Sequence, residues 1–193
     1  MAAATQVRPT EQLDELTLRR AQLGDERAWR DLVVRYQRPV NALVSRLLAG
    51  RPRHRAEDLV QETFVRVLRA LPRFDPKGSA ALSTWILTIA TRLALNELRR
   101  PEPSELAHEP VARERTDASA DRARLGAAIA AGVGALPEAQ RAVLVLREYH
   151  DLDYTEIAAI LEIDPGTVKS RLSRARAQLR EHLVAAGFGE RHD

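Results

Sequence analysis

Apolar residues along this chain recur at intervals of three and four, the spacing that puts side chains on one face of an α-helix. After Asp25 the stripe runs Trp29, Leu32, Val33, Tyr36, Val40, Leu43, Val44 and Leu47. Pro39 stands inside it and is expected to kink or split that helix. A shorter helix precedes it, from about Glu11 to Leu23, with Thr10 as N-cap and Gly24 as stop. After a connector, RPRH at 51–54, the stretch AEDLVQETFVRVLRAL buries Leu59, Phe64, Val67, Leu68 and Leu71 by period. RFDPKGSA then reads as a loop, on Asp75-Pro76 and Gly78. A further helix is predicted from about Ser83 to Arg100, with Trp85, Ile86, Ile89, Ala90 and Leu93 inward. The period lapses in PEPSELAHEPVARERTDASADRA and returns from about Ala123. It then runs through RLGAAIAAGVGAL, PEAQRAVLVLREYH, YTEIAAILEI and TVKSRLSRARAQLR. No run alternates at the period of two that a half-buried strand requires.

The expected fold is therefore all-α: two small helical domains, residues 10–100 and 123–185, joined by a flexible linker over 101–122. Composition agrees. Leu, Ala, Arg and Glu, good helix formers, dominate the 193 residues, and aromatics are 4%. The chain has no cysteine, which removes disulfides and thiolate metal sites. No apolar run reaches the ~18 residues of a membrane helix. The start, MAAATQVRPTEQLDE, lacks the basic-then-apolar pattern of a secretory leader. No membrane insertion and a cytoplasmic location are expected.

Charge is nearly balanced, with 30 Lys and Arg against 27 Asp and Glu, so only its clustering carries information. The stretch 167–180 holds Lys169, Arg171, Arg174, Arg176 and Arg180 and no acid. On a helix, Val168, Leu172, Ala175, Leu179 and Leu183 form a burying face. Thr167, Ser170, Arg171 and Arg174 form a polar one. Just upstream, YTEIAAIL is a short amphipathic helix, and EIDPG joins the two. This is the helix-turn-helix pattern, whose second helix enters the DNA major groove. Arg can bond guanine at two atoms, and Lys and Arg neutralise phosphates. Thr167, Ser170, Arg171 and Arg174 are the candidates for base contacts, and Lys169, Arg176 and Arg180 for phosphates. Glu162 occupies the turn position where a left-handed backbone usually selects glycine, at a cost of ~1–2 kcal/mol for a residue bearing a Cβ.

Two separated segments, AEDLVQETFVRVLRALPRFDP with GSAALSTWILTIATRLALNELRR, and ALPEAQRAVLVLREYHDLDYTEIAAILEIDPGTVKSRLSRARAQL, make the chain resemble the extracytoplasmic-function (group IV) sigma factors of the sigma-70 family. The resemblance implies a factor that binds core RNA polymerase and directs promoter recognition, opening and initiation at a limited set of promoters. It implies that Asp58, Gln61 and Glu62, one turn apart on a polar helix face, grip the polymerase. It implies that the loop carrying Phe74, Asp75, Lys77 and Ser79 captures a flipped base of the minus-ten element. Thr88, Thr91, Arg92, Asn96 and Arg99, with Thr84, would present the following helix to the same DNA, while Trp85 belongs to the core. Thr88 and Thr91 stand where the family often has basic residues, and Leu82 where an aromatic is common. Thr167, Lys169, Ser170, Arg171, Arg174 and Arg176 would meet the minus-thirty-five element. Promoter DNA, core polymerase and an anti-sigma factor are the implied partners.

Three other classes compete. A stand-alone helix-turn-helix regulator is the alternative, but the N-terminal half offers no strand run for a receiver domain. An enzyme has little to stand on: there is no GxxxxGK[ST] or HExxH, and the five histidines are scattered. An adaptor that never reads DNA leaves the basic helix unexplained. No active site, cofactor or metal is expected.

Overall fold

In the computed structural model, residues 13–100 and 117–188 are described. All regular structure among them is helical, with no strand. The order is α1 (Glu15–Gln22), α2 (Glu26–Leu47), α3 (Arg53–Ala70), a 3-10 turn (Leu71–Arg73), α4 (Leu82–Leu98), α5 (Asp117–Ala135), α6 (Glu138–His150), α7 (Tyr154–Leu161) and α8 (Pro165–Ala185).

Each start follows from local chemistry. Asp14 caps α1 by accepting from the Thr17 N–H at 2.9 Å. Thr10, expected in that role, lies outside the described residues. Gly24 ends the turn after α1 at φ +89°, a conformation that costs glycine nothing. Asp25 then caps α2 through the Ala28 N–H. α2 runs unbroken through Pro39, contrary to the expected split. The proline removes one helical hydrogen bond. Val40, Leu43, Val44 and Leu47 beyond it, with Leu32 and Tyr36 before it, form one buried stripe that holds the helix on both sides. α3 begins at Arg53, within the expected connector, behind Pro52. α5 begins at Asp117, within the span expected as linker. The rest of that span, residues 101–116, lies outside the described residues.

α1 to α4 form one helical unit and α5 to α8 another, yet the apolar core is continuous across both. α4 lies at the centre. Leu82, Ile86, Leu87, Ala90, Leu93, Ala94 and Leu98 bury most of its circumference. In the second unit, Val168, Leu172 and Ala175 of α8 seat it against its neighbours. Gly132 of α5 lets α8 cross closely, because a Cβ there would lie 2.6 Å from Leu179 Cδ1 and 2.9 Å from His182 Cδ2.

Arg141 of α6 joins the units. Its Nη1 donates to the carbonyls of Leu47 and Ala49 at the end of α2, at 2.9 and 3.0 Å. Its Nη2 donates to Gly134 and Leu136 at the end of α5, at 2.8 and 3.1 Å. Helix ends leave carbonyls without partners and carry partial negative charge, and one planar cation answers both here. Burial lowers its pKa, partly offset by Glu138, and a guanidinium stays charged regardless. Arg141→Lys keeps the charge but loses the fork. It is expected to lower unfolding free energy by about 2–3 kcal/mol, read by urea denaturation.

His150, at the end of α6, is 2% exposed, and neither ring nitrogen has a hydrogen-bond partner. Burial, with the Arg46 charge added, pushes its pKa down from 6.5 to about 4. A folded-state pKa below the unfolded one means that the unfolded chain binds the proton more readily. The contribution is complete above pH 6.5 and is lost as pH falls toward 4. Across that window this group should cost about 1.4 kcal/mol per pH unit. His150→Leu should flatten that part of a stability-versus-pH curve, and an unchanged slope would assign the acid sensitivity elsewhere.

Candidate functional site

Four surfaces carry the residues singled out by the sequence. On α3, Asp58, Gln61 and Glu62 are exposed, while Thr63, Phe64 and Val67 on the other side are buried. Glu62 pairs with Arg66 at 2.6 Å. The exposed face is thus a short polar patch with acid at its centre, beside half-exposed Val65.

The loop after the 3-10 turn is braced from below. Gln22 Nε2 donates to the carbonyls of Leu71 and Phe74, at 3.0 and 2.7 Å. Asp75 accepts from the Lys77 N–H at 2.9 Å, and the Asp75 carbonyl from the Gly78 N–H at 3.1 Å. A Cβ on Gly78 would come within 3.1 Å of that carbonyl, so the turn is closed around the glycine. Asp75, Lys77 and Ser79 face solvent. Phe74 does not: half-buried, its ring lies 4.9 Å from that of Trp85, tilted by 40°. Trp85 packs against the core edge, as expected.

α4 corrects part of the sequence reading. Arg92, Asn96 and Arg99 are exposed or half-exposed and Thr88 half-buried, but Thr84 is 7% exposed and Thr91 0%. The second unit covers this side. Thr84 Oγ1 donates to Glu156 Oε1 of α7 at 3.0 Å, and Arg92 pairs with Glu162 at 2.8 Å. Thr91 lies on the same helix between them, and its hydroxyl has no partner. Neither Thr84 nor Thr91 can meet DNA in this arrangement.

The helix-turn-helix is built as its sequence suggests. Asp153 and Glu156 form a capping box at the head of α7. Glu162 ends it in the left-handed conformation, φ 56°, with its N–H on the Ala158 carbonyl. Asp164 caps α8, and the Thr167 hydroxyl and N–H together hold its carboxyl below the usual carboxylate range. Lys169, Arg174 and Arg176 are exposed, and Thr167, Ser170 and Arg171 half-buried. Ser170 donates to the Thr167 carbonyl, and Arg174 to the Ser170 hydroxyl. Arg176 is already engaged, pairing with Glu148 of α6 at 2.6 Å. Arg171 lines a cleft of about 170 Å³ with Arg99, Leu95, Glu138, Ala139, Ala142 and Leu161. Residue spacing carried no sign of Glu156 and Glu162 as partners of α4, since their local capping duties already account for them.

The comparisons agree with this layout. Residues 32–102 match the family described as Sigma-70 region 2, and 127–179 that described as Sigma-70, region 4. The RNA polymerase sigma-H factor of Pseudomonas aeruginosa is 35% identical over 188 residues, 90% of this chain and 95% of that one. The ECF RNA polymerase sigma-E factor of Escherichia coli K12 is 38% identical over 184 residues, 86% and 93% of the two chains. Among solved structures, CnrH in complex with the cytosolic domain of CnrY aligns with a TM-score of 0.63 at 28% identity, over 89% of this chain and 97% of that one. The sigma factor RpoE from Bartonella quintana, in complex with the anti-sigma factor NepR, shares the fold at 23% identity, with a TM-score of 0.62 over 80% and 96%. With two family matches in order on two helical units, and relatives aligned over most of their length, this chain belongs to the extracytoplasmic-function sigma factors of the sigma-70 family.

Proposed function

We propose that the two helical units divide the work of a sigma factor. α3 docks on core RNA polymerase through Asp58, Gln61 and Glu62. The 74–81 loop and the outer face of α4 engage the minus-ten element, and α8 reads the minus-thirty-five element. The observation that carries this reading is the pairing of an exposed acid-amide patch on α3 with an exposed cationic helix on a helix-turn-helix, each inside its own matched family region. An acidic patch suits a basic helical partner, and a cationic helix suits a duplex. Arg92, Asn96 and Arg99 are the α4 residues left for DNA. The loop residues Asp75, Lys77 and Ser79 stand where an unstacked base could be received, with the Phe74–Trp85 pair as its floor. Lys169 and Arg174 are the α8 cations most open to phosphates or bases. Arg176 must leave Glu148 first. The protein works in the cytoplasm, and an anti-sigma factor holds it inactive, as the Bartonella quintana protein is found with one.

The proposed docking patch has a direct test. Purified chain should co-elute with bacterial core polymerase, and the triple change Asp58→Ala, Gln61→Ala, Glu62→Ala should abolish co-elution while the thermal unfolding midpoint stays in place. Retained co-elution of the triple variant would move the docking face off α3. For α8, Arg171→Gln with Arg174→Gln should reduce promoter-specific run-off transcription by on the order of 100-fold, at about 1–3 kcal/mol for each lost guanine-type contact. Core binding should be unchanged. If core binding fell in step with transcription, the division between the units would be wrong.

A further inference from the structure

Of the 30 Lys and Arg residues in the chain, only Lys77 and Lys169 are lysine; every other permanent side-chain cation is arginine. One stands in the loop before α4 and the other in the first turns of α8, so each lies in an element assigned above to promoter DNA. Both side chains are exposed. Among the described residues neither ammonium has an ion pair or a hydrogen bond, whereas Arg66, Arg92 and Arg176 are engaged by carboxylates. The main chain that carries each lysine is nonetheless fixed. The Lys77 N–H donates to Asp75 Oδ1, and Gly78 closes that turn. Lys169 rides on a helix seated by Val168 and Leu172.

The difference between the two kinds of cation is chemical. A guanidinium keeps its proton and is a poor nucleophile. A lysine amine in its neutral form attacks activated acyl groups, and the amide that results carries no charge. Amine-selective acylation therefore finds two side chains in this protein, and both belong to DNA-reading elements.

We propose that Lys77 and Lys169 are acylation sites through which an acyl phosphate weakens promoter binding while leaving core docking intact. The inference rests on the assignment of the 74–81 loop and α8 to promoter DNA. In the step itself the neutral amine attacks the acyl carbon. The C–N bond forms, the C–O bond to phosphate breaks, phosphate leaves with the electron pair, and the nitrogen gives its proton to solvent. Each event removes one positive charge. The class of donor follows from the field around Lys169: residues 167–180 carry five cations and no acid, which concentrates a small anionic donor there. The docking patch, Asp58, Gln61 and Glu62, offers no amine, and the permanent cations of its helix, Arg53, Arg55, Arg66 and Arg69, are all arginine.

Counterion release sets the size of the effect. Each phosphate contact contributes about 0.9 to the log–log salt slope on duplex DNA and about 0.7 on a single strand. Losing Lys169 from the duplex and Lys77 from an unpaired strand should flatten the slope by about 1.6. At ~0.1 M salt, against a 1 M reference, that is a loss of affinity on the order of 40-fold.

The test treats the purified chain with acetyl phosphate and removes the reagent before core polymerase is added, so that the polymerase is never modified. Peptide mass mapping should place acetyl groups on Lys77 and Lys169. Treated chain should still co-elute with core, lose at least tenfold in promoter-specific run-off transcription, and show the flatter salt slope. Lys77→Arg with Lys169→Arg keeps both charges and the N-terminal amine but removes the acylation sites, and its activity after treatment should equal its own activity before. Where that double variant initiates too weakly to read, each single variant should lose less on treatment than wild-type chain does. Unmodified lysines beside an acetylated N-terminus would overturn the sites. Full acetylation with undiminished transcription would overturn their effect, as would an equal loss in the double-arginine chain. Treated chain that no longer binds core would overturn the separation from docking. Untreated wild-type chain separates these failures from that of the parent reading: if it initiates nothing with core, the assignment of the loop and α8 to DNA falls first.

Discussion

The guanidinium of Arg141 is the contact on which the arrangement of the two units depends. The C-terminal ends of α2 and α5 converge on it, each bringing two main-chain carbonyls. Brought together without a cation, those ends would oppose partial negative charges and leave acceptors buried and unpaired. Arginine suits the place because its two terminal nitrogens lie in one plane and point apart, one toward each helix end. Fixing α6 on α2 in this way also fixes α7 and α8, which pack on α6. The position of the helix-turn-helix over α4 is thus set through α6, whose Glu138, Ala139 and Ala142 line the cleft between them.

That placement decides the surroundings of α4. A helix packed on α2 and α3 along one side ordinarily keeps a solvated side, and its sequence supplies one with Thr84, Thr88, Thr91 and Arg92. Here the second unit takes part of that side out of water. The threonines suit such a contact: their methyl groups accept burial, and their hydroxyls can bond a neighbour or their own helix. Thr84 bonds Glu156, and Thr88 bonds the Thr84 carbonyl. Thr91, buried without a partner, is the costly member of the set. These small polar groups tolerate both a cover and water.

Much of this was legible from residue spacing. The helices, the burial of Phe64, Val67 and Leu172, and the all-helical class follow from period; the caps Asp14, Asp25 and Asp164 were not singled out, and the structure supplies them. Even the left-handed turn residue at Glu162 was foreseeable, because the turn geometry demanded it whatever side chain stood there. The misreadings have a common cause. Periodicity tells which face of a helix is apolar, but not whether its polar face meets water or another element far along the chain. Thr84 and Thr91 looked exposed for that reason, and nothing in the local pattern marked Arg141 or His150 as buried. Pro39 was misjudged differently: a local rule gave way to the buried stripe on either side of it.

The acids of the helix-turn-helix add a last step. Glu156 closes the capping box of α7 and also accepts from Thr84. Glu162 ends α7 and also pairs with Arg92. Each is placed by its local task, and that placement aims a carboxylate at α4. The Arg92–Glu162 pair is more than half exposed on both sides and fixes register more than it holds, while the Thr84–Glu156 bond is partly buried. Two acids fixed by the cap and turn chemistry of α7 therefore also set how α7 sits against α4.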